Sequence, residues 1–120
     1  MKAGNKPKYI PDRGDIIFID FNPTKGREQG NAQNKPRPAI IISPLKYNKL
    51  SSLALMCPIT SKIKGLKFEV PLDERTETRG VILSDQIKSL DWTARKANFK
   101  EKAPPEIIEE VLAKIEPLVL

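Results

Sequence analysis

The chain has 120 residues, with 21 Lys and Arg against 15 Asp and Glu, no His, one Cys and 11 Pro. With 39% hydrophobic and 30% charged residues, that length fits one globular domain. The missing histidine excludes Ser-His-Asp, Cys-His and HExxH chemistry; no apolar run approaches the ~20 residues of a membrane helix, and a lone Cys57 fits a soluble protein of the reducing cytoplasm.

Residues 1–8 are polar, carry Lys2, Lys6 and Lys8, and read as a mobile basic arm ahead of a single domain over 9–120. Pro11-Asp12-Arg13-Gly14 signals a turn. Asp15 to Phe21 is rich in β-branched and aromatic residues and reads as a strand. Ile17, Ile19 and Phe21 share one face, Ile16 and Phe18 the other; both are apolar, so the strand is covered twice, by its own domain or by a second subunit. Asn22 to Pro38 is a Pro/Gly/Asn-rich loop, longer than the roughly 12 residues beyond which loops tend to be functional or disordered. Ala39 to Ser43 is a buried strand stopped by Pro44, and Leu53 to Ile59 another, with Pro58 hinting at an edge or strand end. Lys67 to Leu72 and Gly80 to Ser84 read as shorter strands, with Gln86 to Leu90 and Ala97 to Phe99 as further candidates. Then the period changes. Ile107, Ile108, Val111, Leu112 and Ile115 form one stripe of an α-helix that starts at Pro105 and should end near Glu116, because Pro117 cannot continue the ladder. About five to seven short strands and a C-terminal helix make a mainly β fold, a small, strongly bent, barrel-like sheet capped by the helix.

The charge is unevenly spread. Met1 to Lys67 holds 13 basic and 4 acidic residues, Phe68 to Leu120 holds 8 and 11, and between Phe21 and Phe68 the one carboxylate is Glu28. Such a field suits a polyanion; read alone, it is equally a solvated face that aids solubility.

The 22–38 loop puts one carboxylate and several cations between two strands. Cleavage of RNA by its own 2′-hydroxyl needs a group to take that proton, positive charge for the pentacoordinate phosphorus and stabilisation of the leaving 5′-oxygen. Glu28 can act on the proton, the Arg37 fork matches two phosphoryl oxygens and stays charged, and the Thr60 hydroxyl can donate to the phosphate. Lys25, Arg27, Lys62, Lys64 and Lys88 suit the RNA backbone, with Ser61 and Asp85 beside them and Gln29 and Gln86 free to read base edges. Each has a plainer reading. Glu28 can be a solvated partner of Lys25 or Arg27, Arg37 an electrostatic pin between Pro36 and Pro38, Thr60-Ser61 a turn-forming pair and Asp85 a turn cap. Trp92 suits a core or interface better than a base-stacking platform, and Cys57 an inert buried thiol. Neither paired carboxylates nor a Cys/His cluster occurs at ligand spacing, so no cofactor and no protein-held metal are expected.

These residues together resemble the MazF/PemK-type toxins of bacterial toxin–antitoxin modules. The resemblance rests on Tyr9-Ile10-Pro11-Asp12-Arg13-Gly14-Asp15, Asp20-Phe21-Asn22-Pro23-Thr24-Lys25-Gly26-Arg27-Glu28-Gln29, Arg37-Pro38-Ala39, Ser43-Pro44, Pro58-Ile59-Thr60-Ser61, Lys64-Gly65, Phe68-Glu69-Val70, Asp85-Gln86-Ile87-Lys88-Ser89 and Trp92-Thr93-Ala94-Arg95. It implies an SH3-like β-barrel with a C-terminal helix, a homodimer, metal-independent endoribonuclease activity on single-stranded mRNA at a short sequence, and inhibition by a cognate antitoxin. It places the loop glutamate on Glu28, the catalytic arginine on Arg37 and the phosphate-contacting threonine on Thr60. One branch uses an aspartate base that falls on Asp85, with an arginine two residues earlier and a histidine before the glutamate; Leu83 and Arg27 stand there instead. Asn31 to Lys35 also lengthen the usual spacing between glutamate and arginine. A second reading is a non-catalytic binding module of the same shape, for RNA or, as in the fold's gyrase poisons, for a protein; the ending Glu116-Pro117-Leu118-Val119-Leu120 lacks the terminal Trp-Gly-Ile of those poisons.

Overall fold

The apolar runs of the sequence become strands. In the computed structural model, residues 8–21 and 35–120 are described; the arm up to residue 7 and the loop positions Lys25, Arg27, Glu28 and Gln29 lie outside the described residues. The elements are β1 (Asp15–Ile19), β2 (Arg37–Ile41), α1 (Leu45–Ser51), β3 (Leu53–Thr60), β4 (Glu69–Pro71), β5 (Val81–Leu83), β6 (Lys88–Asp91), β7 (Asn98–Lys102) and α2 (Pro105–Val119). Every ladder is antiparallel, in the order β4-β5-β3-β2-β1-β7, with β6 also on β3. Among the described residues no ladder joins β4 to β7, so the sheet is open where the sequence led us to expect a barrel.

Side-chain alternation sorts the sheet into two faces. Ile16, Ile40, Ile42, Cys57, Ile59, Val70 and Ile82 pack against Ile107, Ile108, Val111 and Ile115 of α2. Ile17, Ile19, Ala39, Ile41, Ala54 and Met56 lie on the other face, with Tyr9, Phe21, Leu90, Trp92 and Ala97 partly buried over them. Both faces of β1 are therefore covered within this chain. Burying one such isoleucine is worth about 1.5–3 kcal/mol and a net hydrogen bond about 1 kcal/mol, so the faces rather than the ladders fix the register.

Two local readings are corrected, and one helix is added. Pro58 marks neither an edge nor an end: it lies in the longest strand, facing Ala39 of β2. On its other edge β3 pairs with β6 up to Met56 and with β5 from Ile59, and the proline falls in the gap where a donor is not needed. α1 is a helix that no apolar stripe announces, because only Asn48 of its seven residues is buried. The Asn48 amide donates to the Pro11 and Ser43 carbonyls at 2.8 and 3.0 Å, and Trp92 Nε1 donates to the Asn48 carbonyl at 3.0 Å. Finally, α2 runs through Pro117 to Val119. A proline this close to the end removes one donor, and the turn still closes through Leu120 N–H on the Glu116 carbonyl at 3.0 Å. No described helix is long and apolar enough to cross a membrane.

Candidate active site

The first two site residues sit on neighbouring strands, Arg37 at the start of β2 and Thr60 at the end of β3. The β2–β3 register pairs Ala39 with Pro58, Ile40 with Cys57 and Ile41 with Met56. The ladder ends at Ala39–Pro58, two residues short of Arg37 on β2 and of Thr60 on β3, and strand alternation puts both side chains on the sheet face away from α2. Arg37 pairs with Ile19 on β1, so it stands beside the point where the chain leaves β1 for residues 22–34. Arg95 braces that exit by donating from its guanidinium to the Asp20 carbonyl at 3.0 Å. Arg37 is exposed, and none of the ion pairs among the described residues involves it.

Thr60 ends β3 half-buried, and its Oγ1 accepts the Lys62 N–H at 3.1 Å. This is the hydroxyl turn foreseen for Thr60-Ser61. It engages a lone pair and leaves the hydroxyl proton available for a phosphoryl oxygen. Gly80 sets the height of this strand end. A Cβ on it would lie 2.2 Å from the Thr60 carbonyl oxygen and 3.2 Å from Ser61 Cα, and its φ of 117° is itself a glycine conformation.

Beyond Thr60, Ser61, Lys62, Lys64 and Lys67 are all exposed, with Ile63 and Leu66 standing out between them at 66% and 58% exposure. Lys88 opens β6 opposite Met56, exposed on the same face as Arg37 and Thr60. Asp85 and Gln86 are exposed in the preceding turn, which closes by Gln86 N–H on the Leu83 carbonyl at 3.1 Å. Strand alternation thus puts Arg37, Thr60 and Lys88 on one face of the sheet, with Ser61 and Lys62 exposed just beyond the end of β3. The residues sequence reasoning missed are Glu69, which binds the loop backbone at Lys64 and Gly65, and Gly80. Their signals were present in Lys64-Gly65, Glu69 and Arg79-Gly80, whose roles depend on contacts across strands.

A family model described as PemK-like, MazF-like toxin of type II toxin-antitoxin system matches residues 12–119. The chain belongs to this family. Among PemK/MazF relatives, the Endoribonuclease toxin MazF of Escherichia coli (strain K12) is 44% identical over 112 residues, covering 93% of this chain and 96% of the relative. The crystal structure of MazF (Form-I) from Deinococcus radiodurans superposes with a TM-score of 0.81 at 39% identity, over 93% of this chain and 98% of the other. The MazE-MazF (Form-II) structure from the same organism gives 0.81 at 35% identity, over 93% and 97%. These likenesses agree with the mainly β sheet and C-terminal helix of this PemK/MazF chain.

Proposed function

We propose that this PemK/MazF protein is the toxin of a toxin–antitoxin pair, an endoribonuclease that cuts single-stranded mRNA at a short sequence and is inhibited by a cognate antitoxin. The likeness to an endoribonuclease toxin over nearly the full length of both chains supports it, as does the family's description. The observation that carries the chemistry is that strand alternation puts Arg37 and Thr60, on neighbouring strands, on one face of the sheet. A non-catalytic binding module is not favoured beside these relatives.

The 2′-oxygen gives up its proton and attacks phosphorus, the bond to the 5′-oxygen breaks with that oxygen taking a proton from solvent, and the products are a 2′,3′-cyclic phosphate and a 5′-hydroxyl. The Arg37 guanidinium grips two phosphoryl oxygens and offsets the growing charge, and the Thr60 hydroxyl donates to the phosphate. Glu28, outside the described residues, takes the 2′-hydroxyl proton or orients Arg37. Lys62, Lys64 and Lys88 receive the backbone from one face, Lys25 and Arg27 from the loop, with Ser61, Asp85, Gln29 and Gln86 nearest the bases. The protein acts as a homodimer. An acidic antitoxin segment carrying apolar side chains suits Lys62, Lys64 and Lys67 with Ile63 and Leu66 between them, folding as it binds and excluding RNA.

The test is cleavage of end-labelled single-stranded RNA in EDTA. Discrete cuts with cyclic-phosphate ends are expected, and Arg37→Ala should be slower by on the order of 10²-fold or more, as for loss of a preorganised donor. Salt-sensitive retention of RNA without cutting would favour the module instead, and wild-type rates from Arg37→Ala would refute its role. Glu28→Gln separates base from orienting group, since only the base must ionise.

A further inference from the structure

Glu69, the first residue of β4, is only 9% exposed, and its carboxylate faces a surface loop rather than a cation. Its Oε2 accepts the Lys64 N–H at 3.1 Å and its Oε1 the Gly65 N–H at 2.9 Å. No ion pair among the described residues includes Glu69. A carboxylate so far out of water is retained when its hydrogen bonds hold something in place. What it holds is the segment after Thr60. The loop is fixed at its start by Lys62 N–H on Thr60 Oγ1, in its middle by Glu69, and at its end by Ser84, whose N–H and Oγ both donate to the Phe68 carbonyl. Gly65 at φ 73° supplies the left-handed turn that points two adjacent N–H groups at one carboxylate.

We propose that Glu69 is a positioning residue for RNA binding: by fixing the Lys64–Gly65 backbone it locks Lys62 and Lys64 into line with the Thr60 hydroxyl, so the strand is held along a preset path as it leaves the scissile phosphate. The proposal rests on the endoribonuclease reading. A fixed loop spares the RNA the entropy of ordering two lysine-bearing segments on binding. Glu69 touches no reacting atom, so its loss weakens capture of the strand and leaves the chemical step intact.

The test measures cleavage and, separately, binding of a non-cleavable oligonucleotide with 2′-deoxy sugar at the cut site, over a salt series. Glu69→Gln keeps the volume but turns an N–H donor toward a backbone N–H. It is expected to raise KM about 10-fold with kcat within about 2-fold of wild type, and to flatten the plot of log K against log salt by about 0.7 for each phosphate no longer neutralised. Combining Glu69→Gln with Lys64→Gln should cost no more than the larger single change, because the Lys64–phosphate pairing is among those already lost with Glu69. An equal fall in kcat and kcat/KM, an unchanged salt slope, or additive losses in the double variant would each overturn the proposal. Should Glu69→Gln fail to fold, Gly65→Ala strains the same turn, meets nothing within 4 Å and carries the same expectation. Wild-type protein that neither binds nor cuts RNA would refute the endoribonuclease reading itself, whereas wild-type activity with an indifferent Glu69→Gln refutes only the role of Glu69.

Discussion

Two side chains hold their protons far above neutral pH. Burial, then the charge of Asp85, pushes Cys57 from 9.0 up to about 12. Burial, then the hydrogen bond to Asp15 and the charges of Asp15 and Asp12, drives Tyr9 well above the usual phenol range. Both raised values favour the protonated fold. Their stabilisation is complete below the unfolded-state value, near 9.0 for the thiol, and is lost as pH rises toward the folded value. The urea midpoint should hold steady at neutral pH and decline above about pH 9, with a shallower decline in Cys57→Ala. An alkylating reagent at pH 8 should leave folded Cys57 unmodified, and rapid labelling of the native protein would contradict this burial. At this scale the sequence was informative about burial: the buried Cys57 thiol could be read from its apolar strand. The work of Glu69 could not, because a carboxylate among surface residues looks the same whether it faces water or a neighbouring backbone.

Among the elements, β3 and β5 depend on the absence of one side chain. Gly80→Ala combines a strained positive φ, worth about 1–3 kcal/mol, with a Cβ placed on the Thr60 carbonyl. We expect a loss of at least that size in urea unfolding, together with reduced cleavage as Thr60 shifts against Arg37. Unchanged unfolding and activity would mean that β5 does not seat the end of β3. The elements were legible wherever burial wrote a period into the sequence: the alternation of Ile16, Ile17 and Ile19 gave both faces of β1, and the Ile107–Ile115 stripe gave α2. They were illegible where polar groups do the work. α1 docks through Asn48. β7 begins and ends one to three residues later than Ala97 to Phe99, because its register slips between Ile16 and Ile17 of β1. Pro58 misled because a partner switch inside a strand removes the demand for a donor just as an edge does.

In the whole molecule, side chains join what the ladders leave open. Glu101 of β7 accepts the Glu77 N–H at 3.0 Å, and the Thr78 N–H and hydroxyl at 2.8 and 2.6 Å, tying one end of the sheet order to the turn between β4 and β5 at the other. Arg75 binds the same turn to Glu106 of α2 at 3.0 Å. Burial opposes the Glu101 charge, but the Thr78 hydroxyl, the two N–H groups and Lys100 together hold its carboxyl below the usual range. A depressed value means stabilisation present above about pH 4.5 and lost as pH falls through the folded value. Acid unfolding should begin in that window, and Glu101→Gln should weaken the protein at neutral pH while flattening its acid limb. A variant with the wild-type acid profile would detach the clasp from stability.

The two sides of the sheet differ in more than apolar content. α2 presents Glu106, Glu109, Glu110 and Glu116 to water, while Arg37 and Lys88 lie on the opposite face of the sheet. Exposed carboxylates thus stand on the helix side of the sheet, and a guanidinium and an ammonium on its other face. We expect a polyanion at low salt to meet the face of Arg37 and Lys88 before it meets the helix.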